Sequence, residues 1–486
     1  MNKIAITDMT AQQVVQPADP RRWVALILIL LPTLLISLNN YMMQVALPNM
    51  QDSLHASFAE AQLIFSGYSL GLAVALILGG RLGDMYGRKR MLRIGVLGFT
   101  VMSVFGGFVS SPLLLINVRV IQGLSAAMIQ PQVLSIIQRT FPPSEKGLVF
   151  AIYGAVIGTG FTLGLILGGV LVDWNWFGLG WRLVFWFNVP FGLLVITGLP
   201  IVPESRGPGK QSIDWIGTLL LIFGLFLLIY PLTVGQKQGW PSWTWGCVLL
   251  SILILLAFIV LQKRKGKEQD TPPLMDLSIF RIRSFRRGVF TEMMIYLSMF
   301  SFFFILNYFL QTGLHFNLKT TSLVFLPLGL GLFVTSLLSS RMVNRWGNTV
   351  LRSGALIMGI SILLLVVSLN MDPIHLFHIH NILILSLYGI GLAMATTPLA
   401  NMILSSVPAA SAGTGSGLFT TMMYLANVLG VAFISILFTH SLGLSLSDAS
   451  LADYVRAFSI TAGASGLLAF MASICLGLKR YRVERS

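Results

Sequence analysis

The sequence predicts an all-α integral membrane protein with fourteen transmembrane helices, arranged as two six-helix bundles with two additional central spans. Three observations predict it. The 486 residues are 55% hydrophobic and only 10% charged, which is more apolar surface than a water-soluble core can hide. The apolar residues fall into runs of about 20, the length that crosses a bilayer as a helix. The positive charge is one-sided: of 32 Lys and Arg, Arg119 falls inside a run, Arg182, Lys237, Lys319 and Arg456 fall on one side, and the remaining 27 fall on the other. A net charge of +15 in a soluble protein would point to nucleic acid, but distributed this way it marks the cytoplasmic face and places both termini there.

The spans are expected at 23–47, 61–82, 91–109, 112–138, 148–172, 183–201, 215–232, 245–261, 289–310, 323–343, 351–369, 376–404, 413–439 and 454–478. A polar tail, 1–22, precedes them without a cleavable signal pattern, so the first span directs insertion. The first bundle covers 23–205. The two additional helices, within 206–262, are nearly free of interior polar groups, as expected of helices packed outside a substrate path. The linker 263–287 carries Lys263, Arg264, Lys265, Lys267, Arg281, Arg283, Arg286 and Arg287, and separates off the second bundle, 288–478, and a tail, 479–486. A repeat supports this division: Ser340-Arg341-Met342-Val343-Asn344-Arg345-Trp346-Gly347 aligns with Gly80-Arg81-Leu82-Gly83-Asp84-Met85-Tyr86-Gly87, with Asn344 in place of the acid. The two cysteines, Cys247 and Cys475, lie far apart in apolar runs and suggest neither a disulfide nor a thiol metal site. His375, His378 and His380, with only Asp372 nearby, read as a solvated loop, so no metal is expected. With no nucleotide-binding loop or catalytic triad, the chain reads as a non-enzyme without a cofactor.

The stretch from Gly79 to Arg90 sits between two long apolar runs and must be a tight hinge at the membrane surface. Gly80 and Gly87 let helix ends approach, Asp84 can cap or charge-pair with a neighbouring helix start, and Arg88, Lys89 and Arg90 hold the loop on the cytoplasmic side. The pattern G-x-L-x-D-x-x-G-R-K resembles the signature loop between spans 2 and 3 of the major facilitator superfamily. That resemblance implies two six-helix bundles that alternate access, with this loop as a conformational latch.

Arg119 lies within span 4, in Arg119-Val120-Ile121-Gln122-Gly123. A guanidinium in lipid would cost several kcal/mol, so it should face a polar interior; a snorkelling Arg near the outer end is the alternative. R-x-x-Q-G matches the superfamily's span 4 motif, which the resemblance associates with proton coupling in antiporters. In span 5, Gly160, Gly164 and Gly168 recur every fourth residue, followed by Gly169, a spacing that suits a packing seam or a flexing gate. The position resembles the antiporter motif ending G-P-x-x-G-G, but Leu165 stands where that motif has proline, which puts a matching gate kink in doubt. Trp181-Arg182-Leu183-Val184-Phe185-Trp186-Phe187-Asn188-Val189-Pro190-Phe191-Gly192 resembles a stretch of the fourteen-span drug/proton antiporter family, the EmrB/QacA-like group. Val45-Ala46-Leu47-Pro48, Asp214-Trp215-Ile216-Gly217 and Tyr308-Phe309-Leu310-Gln311 extend that resemblance over about 38–430.

One departure matters most. Members of that family commonly carry an acid in span 1 where this chain has Asn39, and an amide cannot carry a proton in the working pH range. Glu292 is the best membrane-embedded replacement, roughly 7 Å into span 9 beyond Arg287; an interfacial Glu paired with Arg286 or Arg287 is the other reading. The remaining polar interior is amide and hydroxyl: Asn39, Asn40, Gln44, Gln130, Asn307, Gln311, Asn401, Tyr424 and Asn427, with Met43 among them, either lining a substrate cavity or bonding between helices. The resemblance implies a secondary active exporter of amphipathic or lipophilic small molecules, coupled to proton influx; the expected location is a bacterial cytoplasmic (inner) membrane. Its partners are the small-molecule substrate, protons and the bilayer, without nucleic acid; a monomer is expected, with accessory envelope proteins as optional partners. The alternative is an exporter of a neutral, anionic or lipid-like substrate with weak or no proton coupling, and a remote one is a non-transporting sensor or assembly factor.

Overall fold

The computed structural model describes residues 21–205, 214–237, 241–266, 274, 277–374, 376–405, 407, 412–443 and 449–477. The terminal tails, the middle of the basic linker and His375 fall outside these residues. Among the described residues every regular element is helical. In chain order they are α1 (Arg22–Ser53), α2 (Phe58–Tyr86), α3 (Arg88–Phe108), α4 (Pro112–Thr140), α5 (Pro143–Trp174), α6 (Gly180–Ile201), α7 (Trp215–Lys237), α8 (Ser242–Lys265), α9 (Arg283–Gly313, its last turn π-helical), α10 (Leu318–Trp346), α11 (Thr349–Met371), α12 (Ile379–Ser405), α13 (Ala412–Leu442) and α14 (Leu451–Gly477). α6 is broken into Leu183–Trp186 and Asn188–Gly198 between two 3-10 turns. Pro190 has no N–H to give the Trp186 carbonyl, which interrupts the ladder there.

Thirteen of these helices are long and apolar enough to cross a membrane. The count of fourteen therefore turns on α7, which has 23 residues but a shorter apolar run, Trp215–Pro231. Local chemistry sets the helix starts. Ser57 and Glu60 form a capping box on α2, with Ser57 N–H donating to Glu60 Oε2 at 2.8 Å and Glu60 N–H to Ser57 Oγ at 3.3 Å. Asn317 Oδ1 accepts from Thr320 N–H at 2.8 Å at the head of α10.

The packing has an internal two-fold correspondence in which helix i of α1–α6 matches helix i+8. α2 lies along α4 and α10 along α12; α3 along α4 and α11 along α12; α1 along α5 and α9 along α13. The seams use the same device. A side chain at Gly71 would strike the Val120 carbonyl and one at Gly123 the Tyr68 carbonyl; their counterparts, Gly331 and Gly389, sit against the Ser386 and Leu328 carbonyls. Backbones this close need residues without Cβ. The two sets meet where α5 packs on α10 and α2 on α13. α7 and α8 form a pair of their own, with α7 laid against both α2 and α13.

Candidate functional site

A fully buried cation organises the first set. Arg119 is 0% exposed on α4. Its Nη1 donates to Asn39 Oδ1 of α1 at 2.7 Å and to Gln122 Oε1 at 2.8 Å, and its Nε donates to the Ile64 carbonyl of α2 at 3.3 Å. The guanidinium lies 4.5 Å from the centroid of the Tyr68 ring. Gln122 Nε2 continues the network to Ser103 Oγ of α3 at 2.9 Å. One cation thus joins α1, α2, α3 and α4. The Arg119 side chain does not snorkel: it turns inward and is held by partners on α1, α2 and its own helix.

Several hydrogen bonds connect the helix sets, among them one from Thr162 Oγ1 of α5 to the Gly329 carbonyl of α10 at 3.2 Å. Near the end of α1, Asn307 Nδ2 donates to the Gln44 carbonyl at 2.7 Å, and Gln311 Nε2 donates to the Val45 carbonyl and to Asn307 Oδ1, both at 2.8 Å. Tyr308 OH donates to Gln51 Oε1 at 2.7 Å. The cause is legible in α1: Pro48 lies inside the helix and has no N–H for the Gln44 carbonyl four residues earlier, so α9 supplies the donor. Ser435 Oγ of α13 bonds Gln62 Oε1 of α2 at 2.7 Å on the same side. Outside this joint lies a cavity of about 1280 Å³ lined by residues that include Asp52, Asp173, Trp181, Gln311 and Tyr454. Deeper in, Gln130 Nε2 of α4 donates to Tyr424 OH of α13 at 2.8 Å. Tyr41, Tyr68, Tyr153 and Tyr296 all lie within electrostatic range of Tyr424 or its neighbours, so phenols from five helices gather between the two sets.

The hinge between α2 and α3 is fixed from several sides. Arg88 donates to Asp84 Oδ1 from Nη2 at 2.7 Å and from Nε at 3.2 Å, and its Nη1 reaches the Ser135 carbonyl of α4 at 3.4 Å. Gly87 has φ +107°, and a side chain there would meet the Glu204 carboxylate. Glu204, just beyond α6, accepts from the N–H groups of Lys89 at 3.0 Å and Arg90 at 3.2 Å, placing an anion on the N-terminus of α3. Gly80 faces Pro131 of α4.

Glu292 is 0% exposed on α9, and neither carboxylate oxygen has a hydrogen-bond partner. The alternative pairing with Arg286 or Arg287 is not made. Met43, Gln44 and Asn427 are fully buried, and neither the Gln44 nor the Asn427 amide has a partner, whereas Gln130 and Gln311 are partly accessible. Asn40 is nearly buried, with no partner for Oδ1. The side chain of Asn401, on α12, lies outside the described residues. Gly160, Gly164 and Gly168 face Ser37, Tyr41 and Met42 of α1, while Gly169 faces Ser322 of α10, so the run serves two different seams.

Sequence reasoning missed Tyr68, Ser103, Gln62 and Glu204. It also missed the cluster at the α7–α8 pair: Asp214 accepts from Lys265 Nζ at 2.7 Å, Gln262 Nε2 at 2.6 Å and the Gly217 N–H at 2.9 Å. Burial pushes the Asp214 carboxyl up, but the hydrogen bonds from Lys265, Gly217 and Gln262 outweigh it and hold the group below the usual carboxylate range. The only signals for these residues were a Glu just beyond span 6 and an Asp just before span 7.

Residues 29–431 match the model of the Major Facilitator Superfamily. The chain is 33% identical over 439 residues to the probable actinorhodin transporter of Streptomyces coelicolor, covering 90% of this chain and 76% of the relative. It is 32% identical over 437 residues to the puromycin resistance protein pur8 of Streptomyces alboniger, covering 89% and 85%. It is 28% identical over 428 residues to the multidrug efflux pump LfrA of Mycolicibacterium smegmatis, covering 86% and 81%. Among solved structures, a bacterial homolog of the human lysosomal transporter Spinster shares the fold with a TM-score of 0.65 at 15% identity, covering 95% of this chain and 97% of that one. The xylose transporter XylE of E. coli does so with a TM-score of 0.62 at 15% identity, covering 93% and 96%. The duplicated helix packing, the hinge around Asp84 and the buried Arg119 belong together: this multi-pass membrane protein is a member of the major facilitator superfamily.

Proposed function

We propose that this chain exports amphipathic or lipophilic small molecules across the cytoplasmic membrane by alternating access, with proton influx as the driving force and Glu292 as the proton carrier. The basic end of the bundle faces the cytoplasm, and α1–α6 rock against α9–α14 about the central tyrosines and amides. The relatives named for antibiotic resistance and efflux support export as the direction. The observation that carries the coupling is Glu292: a carboxyl sealed inside the protein with no donor to either oxygen. Held there as an anion it would cost several kcal/mol, so proton exchange at this carboxyl requires the packing of α9 to change. α9 also supplies Asn307, Tyr308 and Gln311 to the joint with α1, so parting that joint moves the helix that bears Glu292. The joint consists of neutral hydrogen bonds, which can break and re-form against water at about 1 kcal/mol each.

The test is dye efflux from reconstituted vesicles, with and without a pH gradient, comparing wild type with Glu292→Gln. The expected result is gradient-driven transport in wild type and, in the variant, exchange that ignores the gradient. Equal responses to the gradient would remove Glu292 from the proton path.

A further inference from the structure

The surroundings of Arg119 are short of one kind of group. The guanidinium has four neighbours, and all are neutral: Asn39 Oδ1, Gln122 Oε1, the Ile64 carbonyl and the Tyr68 ring. Among the described residues no carboxylate forms an ion pair with it. Three donors around it have no acceptor: Arg119 Nη2, Asn39 Nδ2 and Tyr68 OH, each on a fully buried side chain. A buried guanidinium is ordinarily met by an anion, and a buried donor by an acceptor. What would complete this cluster is a group with negative charge and several acceptor oxygens.

We propose that the Arg119 centre binds the anionic group of the transported molecule, so that the cargo is an amphipathic organic anion carrying a carboxylate, sulfonate or phenolate. The inference rests on the exporter reading above and narrows its substrate. The anion takes the hydrogen bonds of Arg119 Nη2, Asn39 Nδ2 and Tyr68 OH, and its apolar body lies over the partly accessible rings of Tyr41, Tyr153 and Tyr296. Tyr68 stands between the two parts, since it stacks on the guanidinium and lies within electrostatic range of Tyr424. In the present conformer the cluster is sealed, so binding requires the Tyr68 side chain to swing aside. A cation would instead meet a positive charge that no nearby carboxylate offsets.

The position of Asn39 makes the idea testable. Asn39→Asp would place a carboxylate on the atom now 2.7 Å from Arg119 Nη1 and supply the missing negative charge from the protein itself. Asn39→Ala removes the amide without adding charge. Fluorescein and rhodamine 123 share a xanthene ring system and differ in the sign of their charge. Binding to protein in lipid nanodiscs and transport in reconstituted vesicles are measured for both dyes. Wild type is expected to prefer fluorescein. Asn39→Asp is expected to weaken fluorescein by about tenfold or more, the value of one charge-assisted hydrogen bond, and to improve rhodamine 123. Asn39→Ala should keep the anionic preference. Wild type that takes rhodamine 123 alone would keep the exporter reading and remove the anion site. So would Asp and Ala variants that weaken both dyes alike, since Asn39 would then act only as a structural strut. Fluorescein binding that Asn39→Asp abolishes, with no transport of either dye, would keep the site and remove the exporter. No binding of either dye would remove the site.

Discussion

Asp214 shows how one residue can secure two helices. Its carboxylate caps α7 through the Gly217 N–H and ties in Gln262 and Lys265 from the last turns of α8. Because its folded value lies below the usual carboxylate range, its stabilisation is fully present above the unfolded value, about 3.9, and is lost as pH falls through the folded value. Asn in its place keeps the shape and removes the charge. Asp214→Asn should therefore cost about 2 kcal/mol between pH 5 and 8 and converge with wild type in strong acid. Thermal unfolding in detergent across that range checks it; an equal deficit at every pH would mean that the charge is irrelevant. Arg119 differs in kind. Its charge is spread over carbonyls from three helices, and among the described residues no acid pairs with it.

Between elements, the decisive quantity is how closely backbones approach. α2 and α4 cross with Gly71 and Gly123 against opposing carbonyls, so the seam admits no methyl group without separation of the helices. Gly123→Ala should destabilise by about 2–3 kcal/mol through overpacking and shift Arg119 from its partners, lowering both Tm and transport. An unchanged Tm would show that the seam has slack. The α2–α3 hinge is held differently, by charge. Asp84→Asn preserves a hydrogen bond to Arg88 but removes the ion pair, and if the loop is the cytoplasmic latch it should shift the protein toward the inward-open state. Thiol labelling of single cysteines at the cytoplasmic side of the cavity reads this, and unchanged labelling would sink the latch. The hinge was visible in the sequence as glycines, an acid and a basic run between apolar spans. Glu204 was not, because its role depends on the end of α6 arriving 115 positions later at the head of α3.

At the scale of the whole molecule, α1 and α9 are tied together beside the large cavity. Pro48 frees the Gln44 carbonyl, and Asn307 and Gln311, one turn apart, read two successive carbonyls of α1. The double substitution Asn307→Ala, Gln311→Ala should remove about 2 kcal/mol from this closed joint and open the end that faces the 1280 Å³ cavity. A cysteine at Gly313 should then label several-fold faster from outside; an unchanged rate would mean that packing alone closes this end.

The sequence by itself determined where the helices run, which ends are basic and that the chain is duplicated, and it raised Arg119 as a cation better placed in an interior than in lipid. Each follows from local properties, namely apolar run length, charge placement and the cost of a guanidinium in lipid. Set beside the family it resembles, it also exposed Asn39 where those members commonly carry an acid. Only the tertiary structure decided that Asn39 is a partner of Arg119, 80 positions away, and that Glu292 is sealed without one. Which amide meets which cation depends on the rotation and register of packed helices. A rotation of one residue, about 100° around a helix, exchanges a bonded amide for one facing lipid, and no local pattern of the chain records that choice.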